Sequence, residues 1–401
     1  MFISGNLKLK IYKSINHNIL KKSYDAIVVG AGIVGLSVAR ALGVRGRKVL
    51  VLEKSQFAVG ASIRNFGMIW PIGQTEGTMY ERAQLSKSIW IDIAKNSGLW
   101  FDQVGSLHLA YTDTELEVLS AFTDKFAGNR EYSLHDATGV SQLSDAVVLD
   151  GLKGGLFSKE EIIVDAPKAL ALLPKFLNEK YSIDFKWNTA VNSVETGKVF
   201  TGQQFINTEE IFVCSGQDFE TLYPEIFEKQ AITKCKLQMM KLRSQPDRWR
   251  MGPALCGGLS LTHYHGFQHA GDAISQLKKE YEDKYPEYLK WGIHVMASQN
   301  QDGEIIIGDS HEYGLTHDPF DRQNINQMIL DYLKSFARFP DASISATWNG
   351  VYPKMTNGQT ECILSPEQGV TIINGLGGAG MTLSFGLAEQ VIAGTFNSFV
   401  V

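Results

Sequence analysis

YDAIVVGAGIVGLSVARALGVRGRKVLVLE, residues 24–53, is the stretch whose reading decides the fold. Residues 25–29 form a short run rich in β-branched side chains that stops at Gly30. Apolar and small residues then recur at helical spacing from Ile33 to Leu42. Arg47-Lys48 leads into Val49-Leu50-Val51-Leu52, a run too continuous for a half-exposed strand and suited to a buried parallel one. The run ends on Glu53, so strand, glycine turn, helix and strand follow one another in an α/β unit.

Gly30, Gly32 and Gly35 occupy the G-x-G-x-x-G spacing. The first allows a tight turn, the second lets the backbone approach a pyrophosphate, and the third lets helix and strand pack closely. A helix N-terminus at this point offers N–H groups and a partial positive charge to phosphates. Glu53 sits where an acid accepts hydrogen bonds from a ribose hydroxyl, and Lys54 follows it. Both strands, the helix and the acid in register predict a dinucleotide-binding domain rather than an accidental glycine-rich turn.

A second glycine-rich strand-to-helix turn lies more than three hundred residues away. Val370-Thr371-Ile372-Ile373-Asn374 reads as a strand, Gly375-Leu376-Gly377-Gly378-Ala379-Gly380-Met381-Thr382 as the turn, and the residues through Ala393 as a helix. One cofactor touched by both ends of the chain must be long. Together with Gly60-Ala61-Ser62 and Glu210-Ile211-Phe212-Val213-Cys214-Ser215-Gly216, these features resemble the FAD-dependent D-amino-acid oxidase superfamily, which includes glycine and sarcosine oxidases. The resemblance covers nearly everything from Tyr24 onward. The segments GASIRNFGMIWPIGQ and GLGGAGMTLSFGLAE look like a subgroup associated with phosphonate breakdown, whose members include oxidases of N-methylated 2-aminoethylphosphonate. The resemblance implies a Rossmann-like FAD-binding domain and a discontinuous substrate domain built on a mostly antiparallel sheet.

With 401 residues, two domains are the natural expectation. Apolar content of 44% and charged content of 20% describe an ordinary globular protein, and the net charge of -5 argues against nucleic acid as a partner. No apolar run approaches the roughly 20 residues needed to span a bilayer. Cys214, Cys235, Cys256 and Cys362 are scattered without a C-x-x-C pair, so neither a disulfide framework nor a zinc site is expected and a cytoplasmic setting fits. Residues 1–23 carry Lys8, Lys10, Lys13, Lys21 and Lys22 and no acid, and read as a basic extension without the apolar core of a secretory signal. The FAD-binding domain is expected over 24–80, 151–230 and 348–401, and the substrate domain over 81–150 and 231–347. Within the latter, residues 100–111 read as a hairpin, and residues 236–243, 257–268, 293–297 and 304–307 as strands.

A flavin amine oxidase has to bind the amine neutral, hold its C–H over flavin N5 and stabilise charge on the reduced ring. N–H groups at Gly377, Gly378, Ala379 and Gly380 suit the last task, with Met381 and Thr382 completing the cofactor contact. Ser62, Ser215 and Gly216 are the other expected cofactor neighbours. Arg64 lies in the segment that, by resemblance, packs beside the flavin ring, and reads either as a functional cation or as an ordinary salt-bridge partner. Trp348-Asn349-Gly350-Val351-Tyr352-Pro353 matches the segment in which the family's amino-acid oxidases carry an arginine for the substrate carboxylate. This chain has Tyr352 there, which offers one hydrogen bond and no charge where arginine offers a bidentate fork. Cations for an anionic substrate are then sought at Arg64, His263, His265 and Lys354. His263 and His265 alternate along a predicted strand and so share a face; they read as satisfied sheet histidines or as substrate contacts, and a metal held together with His269 is not expected because no carboxylate lies within that cluster. Lys241 and Arg243 read as solvated charges, and Met239 and Met240 as packing.

Sarcosine oxidases use a lysine near the flavin for oxygen reduction, and residues 305–308 supply none. Oxygen and another electron acceptor both remain open. The cysteine that tethers FAD in those enzymes has no counterpart near Tyr352, so the FAD is expected to be non-covalent. The leading expectation is an FAD-dependent oxidase or dehydrogenase of a small anionic amine, an aminophosphonate above all. The alternatives are glycine, sarcosine or a D-amino acid as substrate, or a flavin-binding subunit without catalysis.

Overall fold

A computed structural model describes residues 23–395 and the backbone of residues 399–400; the basic extension lies almost wholly outside them. The chain divides into two compact units. One holds the residues up to Ile63, Pro167–Lys234 and those from Val351, and the other holds Arg64–Ala166 and Cys235–Gly350. Residues 64–80 and 151–166, assigned to the nucleotide part from sequence, therefore cluster with the second unit.

The first unit is built on β1 (Tyr24–Val29), α1 (Ile33–Val44) and β2 (Val49–Leu52). Their sheet runs in the order Phe399–Val400, Cys362–Ser365, Val370–Asn374, Gln204–Val213, β1, β2, Asp184–Lys186. The five strands from Val370–Asn374 to Asp184–Lys186 are mutually parallel. Burial on both faces explains the unbroken apolar runs of β1 and β2, because helices cover a parallel sheet on each side. The α1 side chains Leu36, Val38, Ala39 and Leu42 are all buried. Arg40 and Arg45 of α1 reach Glu389 of the helix Gly380–Ile392 at 2.7 and 2.8 Å, so the N-terminal and C-terminal helices of this unit pack as neighbours.

The second unit carries a mostly antiparallel sheet in the order Glu312–Gly314, Ile232–Ser244, Glu304–Gly308, Met296–Gln299, Ala254–Cys256, Ser106–Ala110, Gly154–Ser158, Tyr132–His135. The Ala254–Cys256 to Ser106–Ala110 pairing is parallel. The helix Asp113–Lys125 starts on a capping box in which Thr112 and Glu115 satisfy each other's backbone N–H groups. It buries Val118, Leu119 and Phe122, and Phe122 meets Phe126 and Phe267 with ring centroids 4.9 and 4.7 Å apart. Each such ring contributes roughly 1.5–3 kcal/mol of transfer free energy.

Two sequence expectations fail here for local reasons. Residues 100–111 are not a hairpin: Phe101–Asp102 pairs with Ile162–Val164 in a separate three-stranded sheet, while Ser106–Ala110 pairs with Gly154–Ser158. Gly105, at φ +73°, divides them because a Cβ there would stand 2.1 Å from the Ser158 carbonyl oxygen. Residues 257–268 are not a strand but a short helix, Leu259–His263, followed by the 3-10 turn His265–Ala270. The Ser260 hydroxyl donates to the Gly257 carbonyl at 2.7 Å and the Leu259 N–H to the Tyr332 hydroxyl at 3.0 Å, which satisfies the helix start without a ladder.

Candidate functional site

In the first unit the parallel strands deliver three glycine-bearing turns to one edge. Val29 pairs with Val213, and Val213 with Ile372, so Gly30, Ser215-Gly216 and Gly375 all emerge beyond the carboxyl ends of adjacent strands. That edge is where open α/β sheets take ligands. Gly30 has φ +101°, and a Cβ on it would lie 2.4 Å from the Cys214 carbonyl oxygen. A Cβ on Gly35 would lie 1.9 Å from the Gly30 carbonyl oxygen, so the helix cannot sit this close to the turn with any larger residue. At Gly32 a Cβ would meet only the Ser62 hydroxyl, at 3.2 Å. Two of the three glycines are thus demanded by the protein itself, and Gly32 keeps the approach to the α1 N-terminus clear.

The turn is held by side chains placed on it from β2 and beyond. One Glu53 carboxylate oxygen accepts the Ala31 N–H at 2.9 Å and the other accepts the Ser55 N–H at 2.9 Å. Ser62 accepts the Ile33 N–H at 3.0 Å. The first turn of α1 contains no acidic residue to oppose an incoming anion. Lys54 is exposed and pairs with Asp218 at 2.7 Å.

The neighbouring turns are tied by Asn374, whose amide donates to the Gly216 carbonyl at 2.9 Å and whose side-chain oxygen accepts the Gly375 N–H at 2.8 Å. Beside them the Ser215 hydroxyl is buried with no hydrogen-bond partner among the described residues. A buried hydroxyl costs free energy unless something completes it, which fits a ligand carrying polar groups at this edge. The closing turn runs through the 3-10 segment Gly377–Ala379 into the helix Gly380–Ile392, again without an acid in its first turn. Met381 and Thr382 are buried. Tyr352 is buried in the same unit, and a Cβ on Gly378 would lie 3.6 Å from its hydroxyl. Lys354 forms a backbone bridge to Leu376. Tyr352 and Lys354 thus flank the closing turn from one strand.

In the second unit Arg64 donates from Nη1 to the Asn349 carbonyl at 2.9 Å. Lys241 is not a solvated charge but pairs with Glu304 at 2.7 Å, while Met239 and Met240 are fully buried packing residues. His263 and His265 do not share a face, because the segment is helical; His265 is exposed. His263 instead stacks on His294, with ring centroids 3.7 Å apart and planes at 5°, and lies 4.7 Å from His311. His294 and His311 are 5.0 Å apart, and both are buried. A carboxylate lies beside this second cluster: Asp309 Oδ1 stands 3.2 Å from His294 Nδ1. No local sequence signal marks His294, Asp309 and His311, because only the register of the hairpin brings them together. Met296 faces Gly308, and continuing that pairing outward brings His294 to residues 309–311.

The comparisons with known proteins agree with this architecture. The profile of the FAD dependent oxidoreductase family, DAO, matches residues 25–393. An aerobic glycerol-3-phosphate dehydrogenase of Staphylococcus haemolyticus is 24% identical over 50% of this chain and 40% of its own length; the match thus spans about two fifths of that relative. Glycine oxidase from Bacillus cereus superposes with a TM-score of 0.73 at 17% identity, over 94% of this chain and 96% of its own. L-alpha-glycerophosphate oxidase from Mycoplasma pneumoniae, solved with FAD bound, gives 0.73 at 16% identity over 95% and 99%. Among the described residues no helix is long and apolar enough to cross a membrane. By the profile that spans it from Asp25 to Ala393, the chain belongs to the DAO family of FAD-dependent oxidoreductases.

Proposed function

We propose that this protein binds FAD non-covalently and oxidises a small amine bearing an anionic group, with an aminophosphonate such as N-methyl-2-aminoethylphosphonate as substrate. The observation that carries the cofactor reading is the set of three glycine turns at one edge of the parallel strands, with the buried Ser215 hydroxyl beside them. Bound FAD supplies a hydride acceptor at N5 of its ring. Gly30, Gly32 and Gly35 would hold the diphosphate against the α1 N-terminus, Glu53 would accept from a ribose hydroxyl, and Ser62 and Ser215 would complete the polar contacts. The N–H groups of residues 377–380 would stabilise negative charge on the ring. With FAD bound, the carbon next to nitrogen would give up a hydride to it and the nitrogen would give up its proton, leaving an imine that water would hydrolyse to an aldehyde and an amine.

The substrate reading rests on the two segments that resemble phosphonate-associated oxidases and on Tyr352. A phenol in place of the family's arginine removes the bidentate partner of an α-carboxylate. Arg64 and Lys354 remain as cations, and His263 as a further polar contact. A second reading, oxidation of a phosphorylated alcohol, is favoured by the glycerol-3-phosphate relatives. Its substrate shares a tetrahedral phosphorus anion with the first, so anion recognition alone does not separate CH–NH from CH–OH donors. Glycine oxidase among the fold neighbours supports the amino-acid alternative.

Anaerobic mixing of the flavin-containing protein with N-methyl-2-aminoethylphosphonate, 2-aminoethylphosphonate, sarcosine, glycine, D-alanine and glycerol 3-phosphate tests these readings. Fastest loss of the oxidised flavin absorbance with a phosphonate is the expected result. Fastest bleaching by glycine or by glycerol 3-phosphate replaces the substrate, and no bleaching with any of them leaves a flavin-binding protein without this chemistry. Re-oxidation in air against an artificial acceptor then separates oxidase from dehydrogenase.

A further inference from the structure

We propose that His263, His294 and His311 form a binding site for one divalent transition-metal ion of the zinc class, lying wholly within the second unit. One ring nitrogen from each of the three histidines lies within 4.8 Å of the others. Three separate pieces of chain deliver them: the end of the helix Leu259–His263, the segment before the strand Met296–Gln299, and the segment after the strand Glu304–Gly308.

The groups behind the rings set their chemistry. His311 Nδ1 is 2.8 Å from the Gly292 carbonyl oxygen, which can only accept, so the proton sits on Nδ1 and the lone pair on Nε2. Asp309 Oδ1 stands 3.2 Å from His294 Nδ1 and places a carboxylate beside that ring. A backbone carbonyl behind one imidazole and a carboxylate behind another are the outer partners that metal-ligating histidines have, fixing ring orientation and raising nitrogen basicity. Imidazole nitrogen is a good donor for zinc, copper and nickel.

The sign of the charge separates a cation from an anion. An anion held by charge would call for protonated rings, and two imidazolium ions stacked 3.7 Å apart repel strongly. A divalent cation instead draws on the neutral rings and on the carboxylate together.

Ring spacing tests the geometry. With a metal–nitrogen bond of about 2.1 Å the ion sits roughly 3.2 Å from each ring centroid, so tetrahedral ligation puts centroids roughly 5 Å apart. The His294–His311 pair at 5.0 Å and the His263–His311 pair at 4.7 Å meet this. The His263–His294 pair at 3.7 Å does not, and the half-buried His263 ring has to swing outward by about 1.5 Å to complete the site.

The test uses the flavin-containing protein, stripped with a chelator and titrated with Zn2+ in a calorimeter and with Co2+ in an absorption spectrometer. One equivalent bound with a Kd in the micromolar range or tighter, and an intense tetrahedral Co2+ spectrum, are expected. His294→Gln with His311→Gln should weaken binding at least a hundredfold, and the milder His263→Asn, at the half-exposed ring, at least tenfold. His265→Asn should leave binding unchanged. No uptake by the wild type, or uptake that survives His263→Asn undiminished, overturns the proposal. Both readouts are independent of turnover, so the site stands or falls apart from the substrate assigned above.

Discussion

Glu161 offers a sharp test of the second unit because its charge has nowhere to go. The side chain is fully buried, one carboxyl oxygen accepts the Ile72 N–H at 3.0 Å, and the other accepts the Ser106 hydroxyl at 2.9 Å. Burial, aided by the neighbouring Glu160, pushes the carboxyl from 4.5 up to about 7 against those hydrogen bonds. Between these two values the folded protein keeps a proton that the unfolded chain releases, so the folded state binds more protons and stability falls as pH rises. At 1.36 kcal/mol per pH unit, the interval is worth about 3 kcal/mol, present in full below pH 4.5 and gone above about pH 7. Glu161→Gln keeps the shape and one acceptor without the ionisation. Its urea unfolding free energy, followed by tryptophan fluorescence, should gain on the wild type by up to about 3 kcal/mol as pH rises from 5 to 8. The difference between the two proteins is the quantity to plot, because other groups add slopes common to both. Curves that stay parallel over that range would show that Glu161 ionises at an ordinary pKa, and would refute the desolvation argument.

Four further outcomes follow from named contacts. His108 is fully buried, both ring nitrogens lack hydrogen-bond partners among the described residues, and burial pushes its pKa down to about 3. The unfolded chain therefore takes up the extra proton below about pH 6.5, stability falls with acid, and His108→Leu should flatten the acid limb of a profile of unfolding free energy against pH by several kcal/mol; an unchanged limb counts against it. Gly35→Ala would place a methyl 1.9 Å from the Gly30 carbonyl and should give colourless, destabilised protein, whereas Gly380→Ala, with 3.6 Å to Ile33, should keep its flavin. Ser215→Ala should weaken FAD retention about fivefold, the worth of one hydrogen bond of about 1 kcal/mol, without lowering the Tm of apoprotein; equal retention would remove the hydroxyl from the cofactor contact. Tyr352→Arg should raise kcat/KM for sarcosine or glycine at least tenfold by supplying the missing fork, and no change would detach Tyr352 from substrate choice.

What could be read from the sequence was local. The run from Tyr24 to Glu53 shows its strand, turn, helix and second strand because each signal lies within a few residues of the next, and both faces of β1 and β2 are buried. The closing turn was visible for the same reason. The errors lie where pairing is long-range. Phe101–Asp102 finds its partner at Val164 and Ile163, some sixty residues on, and nothing in a two-residue strand announces that. Leu259 and Leu261 alternate like strand residues, yet both are buried in a short helix that packing surrounds, so periodicity could not tell the two apart. The meeting of His263 with His294 and His311 is longer-range still, and requires both a helix end and a hairpin register.

Substrate choice is the property least written in the fold. Glycine oxidase and glycerophosphate oxidase superpose on this chain equally well, at a TM-score of 0.73, although their names specify an amine in one case and a phosphorylated alcohol in the other. At 16–17% identity what the three share is architecture, and the turn geometry at Gly30 and Gly35 is a backbone requirement that does not depend on the donor. Discrimination must then sit in side chains that the architecture leaves free to vary. Under the function proposed above, Tyr352, buried in the first unit, and Arg64, held by the Asn349 carbonyl in the second, are the side chains to replace first. Replacing them, rather than comparing folds further, is what separates a CH–NH donor from a CH–OH donor.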